Sequence, residues 1–181
     1  NPFATIQHGI DIAGEGGMVM VAPGTYSGEG NIDINFEGKA ITLISEAGPE
    51  QTIIDCGDAD RGFTFDSIED STSVLDGFTI QNGNAEFGGG IMIESSEPTF
   101  EYLFIKNNTA DYGGGVYAYL NSSAGYSDFI NCTIANNNVY GSNGQGGGFS
   151  RGSGDFRFLN TIVWHNEAEN YENVEGYISE Y

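Results

Sequence analysis

The chain has 181 residues, 28 of them glycine, and a formal net charge of -21, with five Lys and Arg against 26 Asp and Glu. Charge of that sign and size excludes a phosphate backbone or an anionic membrane surface as partner. Two cysteines, Cys56 and Cys132, make no disulfide framework, and no apolar run reaches the length of a membrane-spanning helix. The acidity reads either as solubility in a salty or extracellular setting or as a surface that gathers divalent cations.

In chain order, Asn1-Pro2-Phe3 opens as a helix start, with a capping Asn and a Pro in the first turn. Phe3, Ile6, Ile10 and Ala13 recur at helical spacing, so residues 1–14 are expected to form one amphipathic helix ending near Gly14. Met18-Val19-Met20-Val21 reads as a strand and Ala22-Pro23-Gly24-Thr25-Tyr26 as a turn. Short strand-like segments follow: Ile32-Asp33-Ile34, Ile41-Thr42-Leu43-Ile44, Thr52-Ile53-Ile54, Phe63-Thr64-Phe65, Val74-Leu75 and Phe78-Thr79-Ile80.

The second half repeats. Gly88-Gly89-Gly90, Gly113-Gly114-Gly115 and Gly146-Gly147-Gly148 each follow an apolar strand and an Asn-rich corner, at a period of roughly 25–30 residues. Stacked coils explain this; a doubly wound sheet would need helices between the strands. Stacking predicts inward columns of Phe78, Leu103 and Cys132 and of Ile80, Ile105 and Ile134. It also predicts a ladder of Asn82, Asn107 and Asn136 at one corner. Cys132 is then a buried thiol. The stretch Thr161–Asn166 reads as a late coil that slips register slightly.

Pro2-Phe3-Ala4-Thr5-Ile6-Gln7 with Ile10-Asp11-Ile12-Ala13, then Val21-Ala22-Pro23-Gly24-Thr25-Tyr26, resembles the opening of the pectate-lyase-like superfamily of right-handed parallel β-helices. Leu75-Asp76-Gly77-Phe78-Thr79-Ile80, Gly88-Gly89-Gly90-Ile91 and Asn131-Cys132-Thr133-Ile134 carry the same resemblance, which is closest to repeat regions of secreted or surface-anchored bacterial proteins. It implies an all-β fold: one right-handed parallel β-helix of about five to six coils over 1–181, a short N-terminal capping α-helix within 1–14, and stacked coils over 15–181. It also implies an extracellular or cell-surface location. The start at Asn1 rather than Met fits a removed leader or an engineered start. Either the chain is a fragment of a longer column or its C-terminal face is left open, where Glu167, Glu169, Glu172, Glu175 and Glu180 would instead guard the strand edges.

Lyases of this superfamily combine calcium-binding carboxylates with an Arg or Lys base, and its hydrolases use facing carboxylates. Here Lys39, Arg61, Lys106, Arg151 and Arg157 sit in no such motif, so no catalytic residue is assigned. Glu86 and Asp111 hold equivalent positions on consecutive coils; as a pair they read either as two exposed carboxylates or as a calcium site. No cofactor is required on this reading. Asp55-Cys56-Gly57-Asp58-Ala59-Asp60 resembles a calcium loop loosely and reads better as a polar turn. His8 and His165 lack ligand spacing for zinc. Phe87 and Tyr112 should stack beside the acidic pair Glu86 and Asp111, and Met92 and Tyr117 should stack just after the triplets on an outward-facing phase, with Tyr119 two residues on. Such rows suit a sugar chain or a protein partner, or only stabilise the column. The expected function is a non-catalytic extracellular module, structural or adhesive, able to stack on itself end to end. The alternative is a polysaccharide-binding or polysaccharide-cleaving β-helix.

Overall fold

A computed structural model describes residues 3–120, 126–140 and 144–174. The chain opens with one helix, α1 (Ile6–Ile12), and everything after it is strand and corner. The first turn of the column carries β1 (Met18–Val21), β2 (Gly24–Tyr26) and β3 (Ile34–Asn35). The second carries β4 (Thr42–Ser45), β5 (Thr52–Asp55) and β6 (Phe63–Phe65). A fourth strand joins in the third turn: β7 (Val74–Asp76), β8 (Thr79–Gln81), β9 (Asn84–Phe87) and β10 (Ile91–Glu94). The fourth turn repeats this as β11 (Thr99–Glu101), β12 (Phe104–Lys106), β13 (Thr109–Tyr112) and β14 (Val116–Tyr119). The fifth runs β15 (Tyr126–Ile130), β16 (Thr133–Ala135), β17 (Asn138–Val139) and β18 (Phe149–Ser153). Strands β19 (Asp155–Leu159) and β20 (Ile162–Trp164) begin a sixth.

Each strand pairs in parallel with the strand one turn away, which gives an all-β solenoid of about five turns. The sheets run β1-β4-β7-β11-β15-β19, β2-β5-β8-β12-β16-β20, β3-β6-β10-β14-β18 and β9-β13-β17. Strand alternation sends every second side chain inward. Ile80, Ile105 and Ile134 are in register and buried, as are Phe78, Leu103 and Cys132. A spine of phenylalanines climbs the interior, with ring centroids 4.9 Å apart for Phe36 and Phe65, 5.3 Å for Phe65 and Phe100, and 4.6 Å for Phe100 and Phe129. Each such ring contributes about 1.5–3 kcal/mol by leaving water.

The corners explain the composition. From the third turn on, each coil has left-handed residues at three corners: Gly77, Asn82 and Gly88; then Tyr102, Asn107 and Gly113; then Asn131, Asn136 and Gly146. Glycine and asparagine are the residues that take this conformation at least cost. The second and third glycines of each triplet answer to a different demand. A Cβ at Gly114 would lie 2.5 Å from Asn138 O and 2.6 Å from Gly147 O, so the coils pack there backbone on backbone.

Four expectations need correction. The helix starts at Ile6 and is capped by Thr5, whose Oγ1 accepts from His8 N at 3.3 Å; Asn1 and Pro2 lie outside the described residues, and Phe3 is half exposed. Gly24–Tyr26 is a strand rather than a turn, because it pairs with β5. The stretch Thr161–Asn166 does not slip: Ile162, Val163 and Trp164 pair in step with Thr133, Ile134 and Ala135. The register shift lies at Gly152, between the pairs Ala118–Arg151 and Tyr119–Ser153.

The fourth correction concerns the ladder, which is formed one residue later than expected. Asn82, Asn107 and Asn136 turn the corner, while Asn108, Asn137 and Asn166 are buried and stack. Gly83 N donates to Asn108 Oδ1 at 2.8 Å, Asn108 N to Asn137 Oδ1 at 3.0 Å and Asn137 N to Asn166 Oδ1 at 2.9 Å. The side-chain amides of Asn108 and Asn137 each also donate up to the next Oδ1 and back to a backbone carbonyl, Ile80 O and Ile105 O. Asn166 N closes the row on Asn173 Oδ1, a residue seven positions on rather than a turn away.

The column's first end is covered by α1. Gln7 pairs its side-chain amide with both backbone groups of Asn35, as a strand edge would, and Lys39 Nζ donates to Ile10 O and Asp11 O at 2.8 Å.

Candidate ligand surface

The aromatic rows lie where two flanks of the column meet. β9 is the crossbar of a small arch whose feet, Gly83 and Gly89, touch: a Cβ on Gly83 would fall onto Gly89 O. β13 repeats the arch one turn up, with Tyr112 in register with Phe87. The rings of Phe87 and Tyr112 stack at 5.3 Å and 13°. Gly88, at φ 61°, then turns the chain into β10, whose outward residue Met92 is in register with Tyr117 of β14. Phe87 leans on Tyr117, with centroids 4.8 Å apart and planes inclined by 53°. The result is an open cleft of about 270 Å³ lined by Phe87, Met92, Glu94, Tyr117 and Tyr119.

Of the predicted surface, Phe87, Met92 and Tyr117 line the cleft and Tyr112 backs Phe87. Glu94 and the position of Arg61 were not anticipated. Arg61 lies a turn below and donates from Nη1 to Met92 Sδ at 2.7 Å, with its Nε 3.7 Å from Asp60. Gly152 makes room for Tyr119, since a Cβ there would lie 2.8 Å from Tyr119 Cδ2. That glycine, out of place in a strand, is the sequence signal for the close approach of Tyr119.

Glu86 and Asp111 are both exposed and follow one another up the β9–β13 sheet. They alternate with Phe87 and Tyr112 along their strands, so they project from the other side of that sheet and do not line the cleft. Among the described residues no three His, Cys, Asp or Glu side chains converge as a metal site. The acidic turn after β5 is held by its neighbours. Asp55 accepts from Asn82 Nδ2, Gln81 Nε2 and Gly57 N, bonds that hold its carboxyl below the usual carboxylate range against the opposing effect of burial.

A buried carboxylate that the sequence did not single out, Glu69, ties three turns together. It accepts from Gly38 N at 2.8 Å, Ser67 N at 3.0 Å and Ser96 Oγ at 2.7 Å. Cys56 and Cys132 are free and buried, and burial first of all pushes both thiols up to about 12, so neither is a thiolate nucleophile at neutral pH.

The positive side chains are engaged structurally. Lys39 caps the helix carbonyls, and Lys106 Nζ lies 4.8 Å over the Phe104 ring. Arg151 donates to Gly154 O. Arg157 binds Asp128 with both arms of its guanidinium, whose carbon lies 4.9 Å over the Tyr126 ring.

No family model, no curated protein and no solved structure matches the chain.

Proposed function

We propose that the chain is a non-catalytic, extracellular β-solenoid module with a structural or adhesive role, of the pectate-lyase-like kind. The observation that carries this reading is the pair of rows, Phe87–Tyr112 and Met92–Tyr117, that line and back one open cleft and are held in register on a backbone-locked corner. An aromatic-lined cleft on a rigid support suits contact with a partner. The engagement of Arg61, Arg151, Arg157, Lys39 and Lys106 in structural contacts favours binding over proton abstraction.

End-to-end stacking is the second part of this reading: among the described residues β19 and β20 are paired on one side only, and such an edge is a template for a further strand, whether of this chain or of a second copy. Glu175 and Glu180, two of the proposed guarding acids, lie outside the described residues.

The test is solution size by light scattering with negative-stain imaging, with and without millimolar calcium, followed by retention on neutral and acidic polysaccharides and on protein-coated surfaces. Filaments would support the self-stacking reading. Retention that falls in Tyr112→Ala and Tyr117→Ala would support the adhesive one. New reducing ends or unsaturated sugars would replace it with the alternative, a polysaccharide-cleaving β-helix.

A further inference from the structure

The cleft is a wedge, and its walls are chemically one-sided. Phe87 and Tyr117 meet at 53°, Met92 and Tyr119 complete the lining, and Glu94 is its charged member. A sugar ring needs a flat platform and a fringe of donors and acceptors. Inclined π-faces with a carboxylate beside them suit an organic cation, a guanidinium above all, which stacks on a ring face while its N–H groups reach the carboxylate. The charge on the approach has the same sign. Glu94 follows Met92 on β10 by two positions, so it faces outward, and continuing the pairing of Ile93 with Phe65 places Asp66 directly below it. Continuing the pairing of Asn35 with Thr64 likewise places Glu37 below Asp66.

The chain already uses this chemistry on itself. Lys106 and Arg157 each lie over an aromatic face, and Arg61 rests its guanidinium on Met92 at the edge of the same cleft. The charge of Arg61 is offset by Asp60 at 3.7 Å, and that of Arg151 by Asp155 at 3.8 Å.

We propose that the wedge of Phe87, Met92, Tyr117 and Tyr119 receives an arginine side chain of a basic polypeptide partner, with Glu94 as the counter-charge and Asp66 and Glu37 guiding the approach. This rests on the adhesive reading above and names its partner class.

The experiment is an NMR titration with a short glycine-flanked peptide carrying one arginine. It is compared with the same peptide carrying citrulline, the neutral isostere, and with a neutral glucan hexasaccharide. The arginine peptide should shift resonances of Phe87, Met92, Tyr117 and Tyr119. Citrulline should bind about tenfold more weakly, Tyr119→Ala should lower affinity about fivefold and Glu94→Gln about threefold, with thermal melts showing each variant folded. Equal binding of citrulline and arginine overturns the proposal. So does undiminished binding by Tyr119→Ala, which would trace the affinity to the general charge of -21. A glucan that shifts these resonances while the arginine peptide does not also overturns it, yet leaves the adhesive module standing. Surface retention that is unaffected by Tyr112→Ala and Tyr117→Ala would remove the adhesive reading separately.

Discussion

The first two turns and the three that follow share the same parallel sheets but turn their corners differently. In the early turns each corner is built by its own side chains. Ser45 Oγ and Thr52 Oγ1 bond at 2.6 Å across the β4–β5 bend, and Ser45 Oγ also accepts from Ala47 N and Gly48 N. Glu69 holds the bend after β6, and Gln7 of the helix completes the edge of β3. In the later turns one device recurs: left-handed corners, most of them Gly or Asn, a glycine triplet, and from the fourth turn an asparagine bonded to the coil above. Sheet continuity therefore does not depend on corner chemistry. The repeated corner adds a rigid, protruding arch, and the arch positions the cleft.

The largest difference between early and late turns is expected at a matched pair of glycines. Gly62, Gly90 and Gly115 stack through backbone hydrogen bonds. A Cβ at Gly115 would lie 2.5 Å from the backbone oxygen of Gly148 and 2.9 Å from Asn137 Nδ2, whereas at Gly62 the backbone oxygen it meets, Gly90 O, is 3.0 Å away and its closest contact is Cγ2 of Ile80 at 2.5 Å. Gly115→Ala should cost about 4 kcal/mol and Gly62→Ala about half that, measured by urea denaturation. Equal costs would mean that the later corners are no tighter than the early ones.

Next is Asn137→Ala, which strands the buried Asn108 N and removes one donor from Ile105 O, for about 3 kcal/mol. Ser45→Ala, at a bend with one shared hydroxyl, should cost about 1–2 kcal/mol. Hydrogen exchange should show the Asn137 defect spreading over the third to sixth turns and the Ser45 defect staying local.

Two smaller effects follow. Burial first, then Glu101, raises the Asp76 carboxyl above its usual range. A raised carboxylate favours folding at low pH, and that contribution is lost as pH rises from the unfolded value through the folded one. Asp76→Asn should then stabilise the chain at pH 7 by about 0.5 kcal/mol once solvent screening is allowed for, with the gain vanishing in acid. Asp55 has the opposite sign: its lowered carboxyl contributes above the unfolded value and loses that contribution as pH falls. Tyr102 turns its corner at φ 51° where the turns above and below use Asn131 and Gly77. Tyr102→Asn should add about 0.5–1 kcal/mol, seen as a raised melting temperature. A neutral result would mean that ring contacts offset the backbone cost.

The column was legible in the sequence because stacking forces like residues to recur, and the triplets mark the period even across the longer fifth turn. What failed to read out depended on three dimensions. Asn107-Asn108 and Asn136-Asn137 offer two candidate ladders, and Asn82 favours the first; only His165-Asn166, which keeps its second asparagine, points to the buried row. The aromatic rows were visible as a repeat, but the 53° inclination that turns them into a wedge comes from the arch. Glu69 carried no signal, since its three donors come from separate turns or from a backbone amide.

The asparagine row has one further consequence. Every Oδ1 in it accepts from the turn below, and the Nδ2 groups of Asn108, Asn137 and Asn166 donate to the Oδ1 above. The amide dipoles therefore align head to tail and polarise one another. Such a row behaves as a single electrical object: removing one member weakens those that remain. The costs of Asn108→Ala and Asn137→Ala should therefore sum to more than the cost of losing both.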